Sequence, residues 1–279
     1  MPDLLRFSAR LSRTTAGAVL AVLAAVACSP PGPAPQARPA EVAAVRAAEG
    51  YMAPPELIGA DRRGGATTLR GRATPGAKIS LVSPDGSAAA AIADASGAWS
   101  VRLPSPQASP AMYALAAQVG ARVLRAEGAV LLAPSPGPPV LVVRAGYAAL
   151  ALGPSEPSPR VVALDYDAGG AAAVAGFTAP RAEVRLSLDG RPAGIDQADA
   201  NGRFAVLAAS APLNPGPRCL QVEANGSRAE VVAVVSPPGP LQGPFRAVRE
   251  AGAWRVDWAP AGGGVQTTLV FDQPVDKAP

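Results

Sequence analysis

The chain has 279 residues, with 25 Lys or Arg, 21 Asp or Glu and a net charge of +4. Because no basic patch stands out along the sequence, this charge does not indicate a nucleic-acid-binding protein. The chain contains no histidine, which excludes Ser-His-Asp and Cys-His triads and histidine-ligated zinc. With 29 glycines and 32 prolines, the composition favours short strands joined by turns over long helices.

The N-terminus has the three parts of a secretory signal peptide. Arg6, Arg10 and Arg13 form a positively charged start, which an apolar run at residues 18–26 follows. This run is shorter than the roughly 20 residues that a membrane-spanning helix needs. We therefore predict that residues 1–27 are a signal peptide and that the protein is exported.

The four residues at 25–28, Ala-Val-Ala-Cys, resemble the processing box of bacterial lipoproteins. The resemblance implies that Cys28 becomes the first residue of the mature chain and carries lipid. Ser29 after it implies an outer membrane lipoprotein that faces the periplasm, anchored stably by its acyl chains. Ordinary cleavage near Ala27 is the alternative. Since Cys219 is the only other cysteine, no internal disulfide is predicted.

A unit of about 105 residues occurs twice. Residues 71–81 (GRATPGAKISL) match residues 176–186 (GFTAPRAEVRL), and residues 94–101 (DASGAWSV) match residues 199–206 (DANGRFAV). Apolar and polar residues alternate within each copy, as in a half-buried strand, and Asp-Gly and Asn-Gly pairs mark hairpin turns. This pattern predicts antiparallel β-sandwiches.

The same motifs resemble the immunoglobulin-like repeats of bacterial surface and envelope proteins, over roughly residues 56–134 and 161–237. The resemblance implies tandem Ig-like sandwiches, a fold that serves as spacer, adhesin or enzyme appendage, so it does not identify a ligand. We predict an all-β chain in which a signal peptide (1–27) and a Pro/Ala-rich tether (28–55) precede the folded part. The folded part then consists of sandwich 1 (56–137), an inter-domain β segment (138–160), sandwich 2 (161–237) and a C-terminal β segment (238–279).

The segments that follow the two sandwiches correspond to each other. Each contains three predicted strands, at residues 140–144, 147–152 and 160–166 in the first and at 245–249, 253–258 and 265–271 in the second. The third strand of the first set can begin the next sandwich. Alternatively, the two sets pair into a small sheet of their own away from the sandwiches. We favour this second arrangement, because no later domain covers the apolar residues of the last set.

Two tryptophans are the candidate ligand-binding residues. Trp254, Val256 and Trp258 lie on one face of a predicted strand, with Arg255 and Asp257 on the other. Tryptophans at this spacing could stack on sugar rings, as in carbohydrate-binding modules. The first copy has plain core residues at the corresponding positions, which favours a buried role for this face.

Acidic residues form two further candidate sites, one for calcium and one for glycoside hydrolysis. Asp196, Asp199 and Asn201 lie near a glycine, as calcium ligands do, but no bidentate glutamate follows, so we predict turn stabilisation. Asp165 and Asp167 share a strand face, as the two acids of a glycoside hydrolase could. The second copy keeps only one of these two acids, so we expect a solvated strand end.

The sequence as a whole predicts a non-catalytic, membrane-anchored envelope lipoprotein that acts as a structural or protein-binding module. The alternative is a glycan- or peptidoglycan-binding module that uses the C-terminal tryptophans, and a hydrolase working through carboxylates is a third hypothesis. The predicted partners are the membrane, through the lipidated N-terminus, and an envelope protein or glycan. No catalytic residue, metal, cofactor or nucleic acid is predicted.

Overall fold

The computed structural model describes residues 52–134, 139–209, 213–250 and 252–272. The predicted signal peptide, Cys28 and most of the predicted tether lie outside these ranges. Within them no helix is long and apolar enough to cross a membrane. The described residues form nineteen strands: β1 (Glu56–Arg63), β2 (Ala66–Arg72), β3 (Lys78–Val82), β4 (Ala88–Ile92), β5 (Ala98–Pro104), β6 (Ala111–Val119), β7 (Arg122–Leu132), β8 (Val140–Val143), β9 (Leu150–Leu152), β10 (Arg160–Asp167), β11 (Ala172–Phe177), β12 (Glu183–Leu188), β13 (Arg191–Gln197), β14 (Arg203–Ala208), β15 (Gly216–Ala224), β16 (Ser227–Val235), β17 (Phe245–Glu250), β18 (Ala253–Trp258) and β19 (Gln266–Phe271).

The first sandwich is built from β1 to β7. Strands β1-β2-β5 form one antiparallel sheet, called sheet A, and β4-β3-β6-β7 face it as the first part of sheet B. Between the two sheets lies a core that includes Leu69, Ile79, Leu81, Trp99 and Leu115. Burial of these side chains, at roughly 25 cal/mol per Å² of apolar surface, holds the sheets together.

The second sandwich repeats this arrangement with β10 to β16. Strands β14-β11-β10 belong to sheet C, and β13-β12-β15-β16 form sheet D opposite them. Their shared core includes Leu164, Val184, Leu186, Phe204 and Leu220. The matching strand order in the two copies confirms the predicted fold class of tandem antiparallel, immunoglobulin-like sandwiches.

Strand β5 illustrates how the sequence pattern produces these sheets. Trp99, Val101 and Leu103 are buried in the core, whereas Ser100 and Arg102 between them are exposed. Successive side chains of a strand point to opposite faces, so this alternation places one face of β5 in the core and the other in solvent. A shift of one residue would expose all three apolar side chains, which fixes the register.

A glycine beneath an aromatic ring recurs in both sandwiches. Gly71 in β2 lies opposite Trp99 in β5, and Gly176 in β11 lies opposite Phe204 in β14. A Cβ atom on Gly71 would overlap the Trp99 ring and the Glu56 carbonyl oxygen, and one on Gly176 would overlap the Phe204 ring. In each copy the aromatic ring therefore occupies the space that a side chain would take.

We expect Gly71→Ala to lower the free energy of unfolding by about 2 kcal/mol, because the added methyl group displaces the Trp99 ring from the core. Gly243→Ala is the matched control, since no atom lies within 4 Å of a Cβ atom there. Urea denaturation of both variants measures the difference. Equal stabilities would contradict this account of the packing.

The strands that follow each sandwich join different sheets. Sheet B continues through β7-β8-β9, and sheet C continues through β10-β19-β18-β17. The favoured prediction of a separate sheet away from the sandwiches is therefore wrong, although β10 and β19, the third strands of the two sets, do pair. The physical reason is that β10 pairs with β11 of the second sandwich along one edge and with β19 along the other. The strands that pair with β10 therefore extend the sheet of that sandwich and do not form a separate sheet.

A third hydrophobic core joins the two sandwiches. It is formed by the outer face of sheet B and the outer face of sheet C, and it includes Leu131, Leu141, Val143, Val162, Phe177 and Trp258. The four sheets consequently pack in the order A, B, C, D, with one core in each of the three spaces between them. The two sandwiches are thus packed directly against each other.

Candidate functional site

The two candidate tryptophans lie at the third core. Trp258 is only 4% exposed, and Val256 beside it is fully buried. Trp254 is half-buried at the margin of this core, and the Arg249 guanidinium lies 5.3 Å from its ring centroid. The two rings therefore do not form an open pair on the surface, and Trp258 has a packing role between sheets B and C.

The indole of Trp258 begins a buried chain of hydrogen bonds. Its Nε1–H donates to Thr268 Oγ1 at 3.2 Å, and the Thr268 hydroxyl donates to Asp165 Oδ1 at 2.5 Å. The backbone N–H of Ala149 donates to the other oxygen of Asp165 at 2.6 Å. The chain thus connects β18, β19 and β10 with the residues that precede β9, across the space between sheets B and C.

Asp165 is 2% exposed, so the expected solvated strand end is wrong for this residue. Burial raises the pKa of its carboxyl to about 6, against the opposing effect of the two hydrogen bonds. Asp167, the other member of the candidate acid pair, is exposed, and its Oδ1 accepts from the Ala171 N–H at 3.2 Å. Both oxygens of Asp165 have structural partners, and the cavity beside it measures about 60 Å³. This arrangement does not favour hydrolysis.

A second buried polar cluster lies on the opposite face of β18. Arg255 Nε donates to Asp257 Oδ1 at 3.0 Å, and Thr267 donates to the same oxygen at 2.6 Å. The Arg255 guanidinium also donates to the Ser236 hydroxyl and to the carbonyl oxygens of Ser236 and Pro237. The cluster therefore fastens β18 and β19 to the residues directly after β16.

Asp199 acts as predicted from turn chemistry, whereas Asp196 lies within β13 and pairs with Val184, so the prediction of a turn role is wrong for that residue. Asp199 Oδ1 accepts from the backbone N–H groups of Asn201 and Arg203, and Asp94 does the same for Ser96 and Ala98 in the first copy. In the part of the chain that the structure describes, no group of three or more acidic or cysteine side chains is arranged to hold a metal ion. Cys219 is a free, partly exposed thiol.

An open groove of about 410 Å³ lies at one margin of the first sandwich. Its lining is mixed, and the charged side chains of Glu56, Glu127 and Arg144 contribute to it. It lies between the start of β1 and the strands β6 to β9. Its apolar lining includes Pro54, Pro55, Leu57, Leu115, Ala126, Ala129, Val130, Val142 and Leu150. Sequence analysis did not identify this groove, because it depends on which strands lie next to β1.

No protein family matches this chain, and no curated protein matches it. Among solved structures, it is similar to the central fibronectin-III array of RIM-binding protein, with 11% identity over 76% of this chain and 81% of that chain and a TM-score of 0.24. It is also similar to the adhesin InvE of Yersinia pseudotuberculosis (14% identity, 74% of this chain and 67% of that chain, TM-score 0.22). Invasin, a bacterial integrin-binding protein, gives 12% identity over 78% of this chain and 54% of that chain, with a TM-score of 0.21. The fold is assigned by the matching strand order of the two sandwiches.

Proposed function

We propose that this protein is an exported envelope lipoprotein whose two sandwiches form a non-catalytic structural or protein-binding module. In this proposal residues 1–27 are removed, Cys28 carries the acyl chains that anchor the protein in the outer membrane, and residues 28–55 are the tether to the sandwiches. The folded part faces the periplasm and binds an envelope protein.

The observation that carries the proposal is the third core. Direct packing of sheet B on sheet C makes the second sandwich part of the same packed unit as the first. A tether followed by a unit of this kind suits a spacer or a binding scaffold. The absence of histidine from the sequence and the structural partners on both oxygens of Asp165 support a non-catalytic role.

The anchoring part is tested by fractionating cells that produce the full chain. We expect the protein in the membrane fraction, with Cys28 as the acylated first residue by mass spectrometry. Cys28→Ser should abolish acylation, because no thiol remains there to accept the diacylglycerol. Cys219→Ser is the matched control and should remain acylated and membrane-bound. Acylation that persists in Cys28→Ser would refute the anchor.

A further inference from the structure

In the part of the chain that the structure describes, one edge of β1 is unpaired at the position where the second sandwich has a paired edge. Leu57 of β1 lies opposite Gly71, as Val161 of β10 lies opposite Gly176, so β1 and β10 are equivalent strands of the two copies. β10 pairs with β19 along its second edge, whereas β1 is the outermost strand of sheet A and, among the described residues, pairs with β2 alone. Within residues 52–272, as far as the structure describes them, the first sandwich therefore has no counterpart of the strand that completes the second.

The groove beside β1 corresponds to space that β19 fills in the second sandwich. Leu269 and Phe271 of β19 are buried in the core of that sandwich, and Phe271 lies next to the start of β10. At the equivalent place in the first sandwich, beside Leu57, the groove of about 410 Å³ is open. The apolar residues of its lining, such as Leu57, Val142 and Leu150, match the kind of side chain that β19 inserts.

Arg62 provides a second sign that the first sandwich is incomplete. All three of its guanidinium nitrogens are buried without a hydrogen-bond acceptor among the described residues. In the second copy Tyr166 holds the equivalent position, lies opposite Thr267 of β19 and has a partner in the Ser236 carbonyl oxygen. A buried donor without an acceptor is unfavourable, and an added strand would bring acceptors to this place.

We propose that the free edge of β1 and the adjacent groove bind an extended segment of another protein by strand addition. The segment pairs antiparallel with residues 59–63 and inserts alternate apolar side chains towards Leu57, as β19 does beside β10. Backbone hydrogen bonds supply affinity, and the groove selects the apolar side chains. This inference rests on the protein-binding role proposed above and assigns it a site and a class of partner.

The proposed register does not use Ile58 for pairing, although Ile58 contacts the second sandwich. Residues 59–63 are equivalent to the part of β10, from Ala163 to Asp167, that pairs with β19. The Ile58 carbonyl oxygen, which accepts from Arg203 Nη2 at 3.3 Å, lies outside this range. The five paired positions of a strand on the edge of β1 therefore do not include Ile58, which the Phe271 position of the segment would lie beside.

The probe is a fluorescent peptide with the sequence of residues 265–272, VQTTLVFD, added to the purified full chain in detergent. We expect saturable binding by fluorescence polarisation and slower amide exchange in β1. A peptide with serine at the positions of Leu269 and Phe271 should bind about tenfold or more weakly, since it has no apolar side chain for the groove. Absence of binding, or equal binding of both peptides, would overturn the proposal. Neither result would affect the acylation test for Cys28.

Variants of the chain locate the peptide. Leu150→Glu and Ala126→Glu each place a charge in the groove and should weaken binding about tenfold or more. Ile92→Glu, at an exposed apolar position on β4 away from the groove, is the matched control and should bind as the wild type does. Thermal melting confirms that each variant is folded. Unchanged binding in both folded groove variants would overturn the site.

A charge placed opposite Arg62 tests the proposed alignment of the peptide with β1. A peptide with aspartate at the position of Thr267 should bind more tightly than the parent peptide, because its carboxylate reaches the buried guanidinium. Arg62→Met should remove this gain. A gain that persists in Arg62→Met would contradict the proposed register. A last variant lacks residues 41–50, which precede β1 in the chain. If the peptide binds only to this variant, these residues compete for the edge of β1, and the proposal that another protein binds there is overturned.

Discussion

Raising the pH from about 4 to about 7 is expected to lower the free energy of unfolding by about 2 kcal/mol, because Asp165 must ionise inside the third core. Its carboxyl is 2% exposed, and burial raises its pKa from 3.8 to about 6. Each pKa unit corresponds to about 1.4 kcal/mol of difference between the protonated and ionised forms.

The sign follows from proton binding in the two states. Between pH 3.8 and about 6 the folded protein keeps the Asp165 proton while the unfolded chain has released it. The stabilising contribution of the neutral carboxyl is therefore complete below the unfolded pKa and is lost as the pH rises through the folded pKa. Hydrogen bonds lower the pKa of Asp85, Asp94 and Asp189, so those turn carboxyls act in the opposite direction, at more acidic pH.

Urea denaturation at a series of pH values measures this dependence. Asp165→Asn should abolish most of the slope between about pH 4 and 7, because the amide cannot ionise. Asp167→Asn changes the exposed neighbour on the same strand and should keep the wild-type slope. A wild-type slope in Asp165→Asn would show that another group is responsible.

The sandwiches could be predicted from the sequence because their signals are local. Alternation in strands such as β5, and turns at Asp85-Gly86 and Asp189-Gly190, do not depend on distant parts of the chain. The 105-residue repeat then predicts that both copies share one fold.

The buried polar groups could not be predicted in this way, because their partners are remote in sequence. Asp165 bonds to Thr268, 103 residues away, and β10 and β19 are covered on both faces. In β10 the apolar run at residues 161–164 is a sequence signal of a strand buried on both sides, but residues 266–268 of β19 are polar and give no such signal. Likewise, the duplication predicts that β9 and β18 are equivalent strands of the two copies. It does not predict that β9 joins sheet B while β18 joins sheet C.

The buried acid Asp257 is expected to be the most sensitive position of the C-terminal segment, and Asp257→Ala should lower the free energy of unfolding by about 3 kcal/mol. Asp257 is 1% exposed and accepts from Arg255, Thr267 and Arg246, at 3.0, 2.6 and 2.6 Å. Its removal leaves the buried Arg255 guanidinium without its close carboxylate, since the remaining ion pair, to Glu250, is longer at 3.9 Å. The cost of that poorly compensated charge exceeds the loss of the contacts themselves.

Asp272→Ala is the matched control for burial. The Asp272 carboxylate accepts two bonds from Arg249, at 2.7 and 2.6 Å, but its side chain is 41% exposed. Because water screens that pair and can replace its bonds, its loss should cost less than about 1 kcal/mol. Urea denaturation of the two variants therefore separates the effect of burial from that of the hydrogen bonds.

A double variant separates the cost of an unpaired buried charge from the cost of the lost hydrogen bonds. Arg255→Met combined with Asp257→Leu removes both buried charges, so it should be more stable than Asp257→Ala alone despite losing more hydrogen bonds. The half-exposed Arg246 can turn its guanidinium into water in either variant. If the double variant is instead the less stable of the two, the cluster stabilises the fold through its hydrogen bonds rather than through mutual compensation of two buried charges.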